Sequence, residues 1–135
     1  MSIAEGPTPG VGAVILDEGR ILLVKRGAGA MAGRWAVPGG RPRYGERMQD
    51  AVAREIEEET GLQVKVEEVV WVGDAIGPGD PPAWHFTLVD FAARSVGGSL
   101  RAGDDAAEVR WVPLEQVLDL PVTDTMHDLI EAISG

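Results

Sequence analysis

Residues 46–60 constrain this chain most, because they form its longest helical pattern and that pattern ends unfavourably. Four of the six residues from 55 to 60 (Glu55-Ile56-Glu57-Glu58-Glu59-Thr60) are glutamates. Acidic side chains at a helix C-terminus oppose the macrodipole, which favours cations there. Glu55 and Glu59 are four apart, so they also repel on neighbouring turns by roughly 0.2–0.5 kcal/mol. Gly61 is a fitting C-cap, so the helix is expected to stop there. Something beyond the helix must compensate its charge.

At about 100° per residue, with Met48 at zero, Val52 falls at about 40° and Ile56 at about 80°, making an apolar stripe. Glu59 falls at about 20°, Glu55 at about −20° and Glu58 at about −80°, whereas Glu57 points the opposite way at about 180°. Glu57 therefore reads as an ordinary solvent-facing charge, and the other three border the buried face. Carboxylates in that position need partners, and Arg54 alone is too little for three. A hard divalent cation with oxygen ligands is a fitting partner, with Mg²⁺ first because it leaves room for substrate phosphates. Taken alone, a glutamate-rich helix end is also the pattern of a solvated face. The surrounding residues decide between the two.

Elsewhere the chain is built from short apolar runs separated by Gly and Pro. Residues 1–9 read as a flexible leader. Val11 to Leu16 and Ile21 to Val24 read as two strands joined by the turn Asp17-Glu18-Gly19-Arg20. Trp35-Ala36-Val37 is a short strand stopped by Pro38-Gly39-Gly40. Leu62 to Asp74, Trp84 to Ala92 and Glu108 to Val112 are strand-like, with Gly77 to Pro82 a loop and Gly97-Gly98 a turn. Pro113 to Leu118 opens a helix, and Thr123 can cap a last helix running to Ile133. Mixed strands and helices in 135 residues fit one layered α/β domain spanning 1–135.

Composition removes several functions. The chain has no cysteine, so disulfides, zinc–thiolate sites and a cysteine nucleophile are excluded. A net charge of −10 disfavours sequence-independent nucleic-acid binding. No apolar run spans a membrane and no secretory signal is evident, so a cytoplasmic location is expected.

Read at fixed offsets, the chain has Gly40, five residues, Glu46, seven residues, Arg54-Glu55-Ile56, one residue, Glu58-Glu59, one residue, then Gly61-Leu62. This resembles the Nudix box without a departure, over residues 40–62. The approach from Trp35 to Gly40 and the segment Glu108 to Leu114 also look like that family, so the resemblance spans most of the chain from about residue 10. It implies an α/β/α sandwich with a mixed sheet and the box as loop–helix–loop. It also implies hydrolysis of a nucleoside diphosphate linked to another group, with Mg²⁺ as cofactor and Mn²⁺ as a substitute. Glu55, Glu58, Glu59 and the Gly40 carbonyl match the family's metal ligands, and Arg54 matches a residue that orients the glutamates.

Glu46 lies nine residues before Glu55, roughly 180° away on a helix, so it is expected in the preceding loop or first turn, paired with Arg54 or favouring the N-terminal dipole. The general base is left between Glu58, Glu55 and a distal carboxylate among Asp104, Asp105 and Glu108, of which Glu108 ranks first and Asp105 second. Arg26, Arg34, Arg41 and Arg43 are candidates for phosphate or ribose. Pro78, and the tract from His85 to Phe91, resemble markers of ADP-ribose pyrophosphatases. Trp35, Trp84 and Phe86 are core residues or base-stacking residues. Three functions stay open: an ADP-ribose or nucleotide-sugar pyrophosphatase, a (d)NTP pyrophosphohydrolase, and a nucleotide-binding sensor. The resemblance also allows a homodimer, with Trp71 and the 77–82 loop as candidate interface.

Overall fold

A computed structural model describes residues 6–29, 31–103 and 106–134. The strands are β1 (Thr8–Asp17), β2 (Arg20–Arg26), β3 (Trp35–Ala36), β4 (Gly39–Gly40), β5 (Leu62–Ile76), β6 (His85–Gly98) and β7 (Ala106–Pro113), with helices α1 (Met48–Thr60) and α2 (Thr125–Ser134) and a 3-10 helix over Leu114–Asp119. The main strand order is β3-β2-β1-β6-β5, with β4 added on β1 and β7 on β2. β1 and β6 run parallel, and the other pairings are antiparallel. The sheet is therefore mixed.

Period-two alternation sorts the central strands between two cores. Val11, Ala13 and Ile15 of β1 and Phe91 and Ala93 of β6 pack with Ala51, Val52 and Ile56 of α1. Val14 of β1 and Ile21 and Leu23 of β2 pack on the other side with Trp35, Met126, Leu129 and Ile130. Both faces of the sheet are thus covered by a helix, which gives the expected α/β/α layers.

Several local expectations shift. β1 begins at Thr8, so the last two residues of the expected leader are strand, opposite Phe86 and Thr87; residues 1–5 lie outside the described residues. Gly97-Gly98 is not a turn, because β6 continues through both and pairs them with Gln63 and Leu62. A Cβ on Gly98 would stand 2.2 Å from the Gly61 carbonyl oxygen, so this close crossing requires glycine. The helix expected at Pro113 is a 3-10 helix that starts one residue later. The last helix starts at Thr125, where the carbonyl of Thr123 accepts from the Met126 amide. Among the described residues no helix is long and apolar enough to cross a membrane.

The acidic helix end is satisfied from outside. Gly61 adopts the left-handed conformation and its amide donates to the Glu57 carbonyl. The Arg101 and Gly103 amides donate to the carbonyls of Thr60 and Glu59. The segment 101–103 thus supplies donors that a helix C-terminus lacks.

Candidate active site

A cavity of about 710 Å³ opens on the α2 side of the sheet, at the end where α1 and β4 meet. Glu55, Glu58, Glu59 and Gly40 all line it, so the side chains singled out on α1 share one wall. They do not share one environment. Glu59 accepts a hydrogen bond from the Gly39 amide at 2.9 Å, which ties α1 to β4. Glu55 and Glu58 both accept from Arg54 Nη1, Glu58 at 3.2 Å. Glu58 is more exposed than the helical wheel implied, its side chain being 54% accessible, against 22% for Glu55. The expectation that one arginine is too little is also modified. Arg54 serves two of the three carboxylates and a backbone amide serves the third.

Arg54 is itself held by Glu46. Its Nε and Nη2 donate to the two Glu46 carboxylate oxygens at 2.8 and 2.9 Å, a bidentate pair, and Nη2 also reaches the Arg41 carbonyl. Glu46 sits just before α1, as the spacing required, and accepts from the Arg43 amide. The Arg54 guanidinium and that amide hold its carboxyl far below the ordinary range, at about 2. Glu46 is a positioning residue. Glu46→Ala is expected to lower kcat about tenfold or more with little change in KM, and Glu46→Gln to restore part of it, read by steady-state kinetics.

The donor set fits a hard divalent cation: carboxylate oxygens and one backbone carbonyl, with no sulfur or imidazole. Gly40 leaves room for close approach, since a Cβ there would stand 1.8 Å from Glu55 Oε2. Among the described residues, however, no three acidic or histidine side chains already converge on one point. Arg54 engages only Glu55 Oε1 and Glu58 Oε2, so the second oxygen of each carboxylate has no Arg54 contact. Gly40→Ala is expected to displace Glu55 and cut turnover about 100-fold or more, measured beside a melting curve that reports any loss of fold.

The remaining candidates divide. Arg41 and Arg43 line the cavity; Arg41 lies 5.9 Å over the Phe86 ring, and Arg43 pairs with Glu58 at 3.6 Å. Arg26 lines it too. Arg34 is not on the cavity wall and donates to the Val122 carbonyl. Pro78 is exposed and away from the wall, where its carbonyl accepts from the Ala83 amide. Glu108 also lies off the wall; it pairs with Arg110 at 2.9 Å, and Arg110 stacks on Trp35. Asp104 and Asp105 lie outside the described residues. Trp35 is core, whereas Phe86 faces the cavity. His85 pairs with Asp74, and Trp71 packs partly against the α2-side core.

Reading by composition passed over the cavity floor. Gly10 and Gly12 of β1 lie there, and Leu88 and Asp90 of β6 lean over them. The signal was present as two glycines inside an apolar strand, which mark a place of close approach, and as one acid in the run Leu88-Val89-Asp90-Phe91.

This fold and this glutamate-lined wall define a Nudix domain. The family model for the NUDIX domain matches residues 6–133, so the chain belongs to the Nudix family. An ADP-ribose pyrophosphatase of Methanocaldococcus jannaschii is 38% identical over 111 residues, covering 82% of this chain and 64% of that protein. This chain therefore spans less than two thirds of that relative. A CTP pyrophosphohydrolase of Escherichia coli is 33% identical, covering 90% of this chain and 87% of that one. The crystal structure of a MutT NUDIX hydrolase from Burkholderia pseudomallei superposes with a TM-score of 0.84 at 31% identity, covering 96% of this chain and 99% of that one.

Proposed function

We propose that this protein hydrolyses the pyrophosphate bond of a nucleoside diphosphate linked to a second group, with ADP-ribose or a related nucleotide sugar as substrate and Mg²⁺ as cofactor. The observation that carries this reading is one cavity with two chemistries. Its Glu55–Glu58–Glu59 wall suits a cation and the phosphates it bridges, and its Phe86–Leu88 wall suits a ring. The M. jannaschii relative supports the choice of ADP-ribose.

When bound, Mg²⁺ would supply charge neutralisation at the phosphates and acidify the attacking water. Glu55, Glu58, Glu59 and the Gly40 carbonyl would hold it. Arg54 keeps Glu55 and Glu58 aligned, and Glu46 keeps Arg54 aligned. Arg41 and Arg43, on the same wall, would take phosphate oxygens. A box glutamate serves as the base: Glu58 is chosen because it is the more exposed of the pair bonded to Arg54.

The second reading is a (d)NTP pyrophosphohydrolase, favoured by the CTP-acting relative, which this chain covers nearly end to end. A panel of ADP-ribose, ADP-glucose, dinucleotides and (d)NTPs with Mg²⁺, with products resolved by chromatography, separates the two. AMP and ribose 5-phosphate as the fastest products support the first reading. Pyrophosphate from a (d)NTP as the faster reaction replaces it with the second. No turnover of any member leaves an untested substrate or a nucleotide-binding sensor, and binding measurements then separate them.

A further inference from the structure

The segment that follows β6 meets the end of α1 backbone to backbone. The Arg101 and Gly103 amides donate to the Thr60 and Glu59 carbonyls, both at 2.8 Å. α1 has no basic residue in its last turn, so main-chain donors answer its acidic end. Glycines allow the approach, for two different reasons. Gly61 and Gly98 have φ of 79° and 83°, and that left-handed backbone by itself favours glycine. The φ of Gly103 lies outside that region, so what glycine supplies there is the missing Cβ. A Cβ on Gly103 would stand 2.0 Å from the Glu58 carbonyl oxygen and 2.9 Å from the Glu59 Cα. Ordinary contact begins near 3.4 Å, so a side chain at 103 would drive the segment and the helix apart by roughly an ångström.

The two residues that Gly103 touches are both glutamates of the cavity wall. Glu59 is held at two points: its carbonyl by the Gly103 amide and its carboxylate by the Gly39 amide at 2.9 Å. Gly39 adjoins Gly40, and both line the cavity. A chain of contacts therefore runs from Gly103 through Glu59 to the wall that suits a cation. Gly103 itself is off that wall, so it acts on anything bound there only through α1.

We propose that Gly103 is a positioning residue: its bare backbone sets where the last turn of α1 stands, and so where Glu58 and Glu59 present their carboxylates. The proposal rests on the metal-assisted reading of that wall. Displacement matters there because such a site holds its groups within about 0.5 Å, and a misplacement of about 1 Å costs roughly 100-fold in rate. Capping alone makes a different prediction. It would lower the melting temperature and leave the kinetics of the folded protein as they are.

The test compares Gly103→Ala with Gly97→Ala. Gly97 lies in β6 shortly before the crossing, and a Cβ there meets the side chain of Gln63, which can turn away. Gly103→Ala is expected to lower kcat about 100-fold with KM within about twofold, and Gly97→Ala to leave both unchanged. Amide hydrogen exchange by NMR gives a second reading without metal or substrate. The Gly39 amide is expected to exchange about tenfold faster or more in Gly103→Ala, while the amides of β1 and β2 keep their protection. Wild-type kcat with a protected Gly39 in the folded variant overturns the proposal. So does an equal loss in both variants, or a lower melting temperature with unchanged kinetics. If Gly103→Ala does not fold, native-state exchange of wild type replaces it: Gly103 and Gly39 amides that open with one denaturant dependence support the proposal, and separate openings overturn it. If wild type turns over no nucleotide, the hydrolytic reading fails, yet the exchange of Gly39 still decides the role of Gly103.

Discussion

Replacing Glu58 by glutamine is expected to lower kcat by about 10²–10³-fold while leaving the fold intact. The two halves of that expectation have separate causes. Glu58 is 54% exposed and its partners are Arg54 and Arg43 at the surface. Ion pairs of that kind contribute about 0–1 kcal/mol, so the melting temperature should hardly move. The carboxylate, however, is the oxygen donor that a divalent cation prefers, and it is the proposed base. An amide keeps the shape and loses the charge and the basicity. Stopped assays with Mg²⁺ and a thermal melt of the same preparation measure both. Near-wild-type turnover in a folded Glu58→Gln would remove Glu58 from the metal and base roles together.

Asp90→Asn is expected to stabilise the protein, increasingly so as pH rises. The Asp90 carboxyl is raised by burial from an ordinary 3.8 to about 7. In the unfolded chain it ionises near 3.8, whereas in the folded protein it resists ionising until about 7. Above the lower value the unfolded state therefore binds fewer protons, and stability falls with rising pH until the folded group has also ionised. At about 1.4 kcal/mol for each pH unit between those two values, the full cost reaches on the order of 4 kcal/mol above pH 7, with about 2–3 kcal/mol of it arriving between pH 5 and pH 8. Asparagine removes that cost because it does not titrate. Urea unfolding of both proteins across that range should show the difference in stability growing with pH. A constant difference would mean that Asp90 is solvated in the native state.

Much of the site was legible because its chemistry is local in the chain. The spacing of Glu55, Glu58 and Glu59 follows from helix geometry, and so does the exclusion of Glu46 from their cluster. Gly61 as helix stop and the Asp17–Arg20 turn rest on single-residue backbone preferences. The features that were misplaced depend on long-range pairing. Gly97 and Gly98 resemble a turn in any local window, yet β5 runs alongside and keeps them in the sheet. The surroundings of Glu108 are likewise set by long-range pairing: its strand lies against β2, and its carboxylate pairs with Arg110.

The sequence by itself determined the class of fold, the helix that carries the glutamates and the family, because periodicity, breakers and fixed spacings act over a few turns of chain. Only the tertiary structure decided how the charges are satisfied and where the cavity ends. The Gly39 amide reaches Glu59 because β4 packs against that helix. Asp90 reaches the cavity because β6 lies parallel to the bare glycines of β1. Partners brought together from 20 or more residues apart are set by sheet pairing, and that pairing has no local signature.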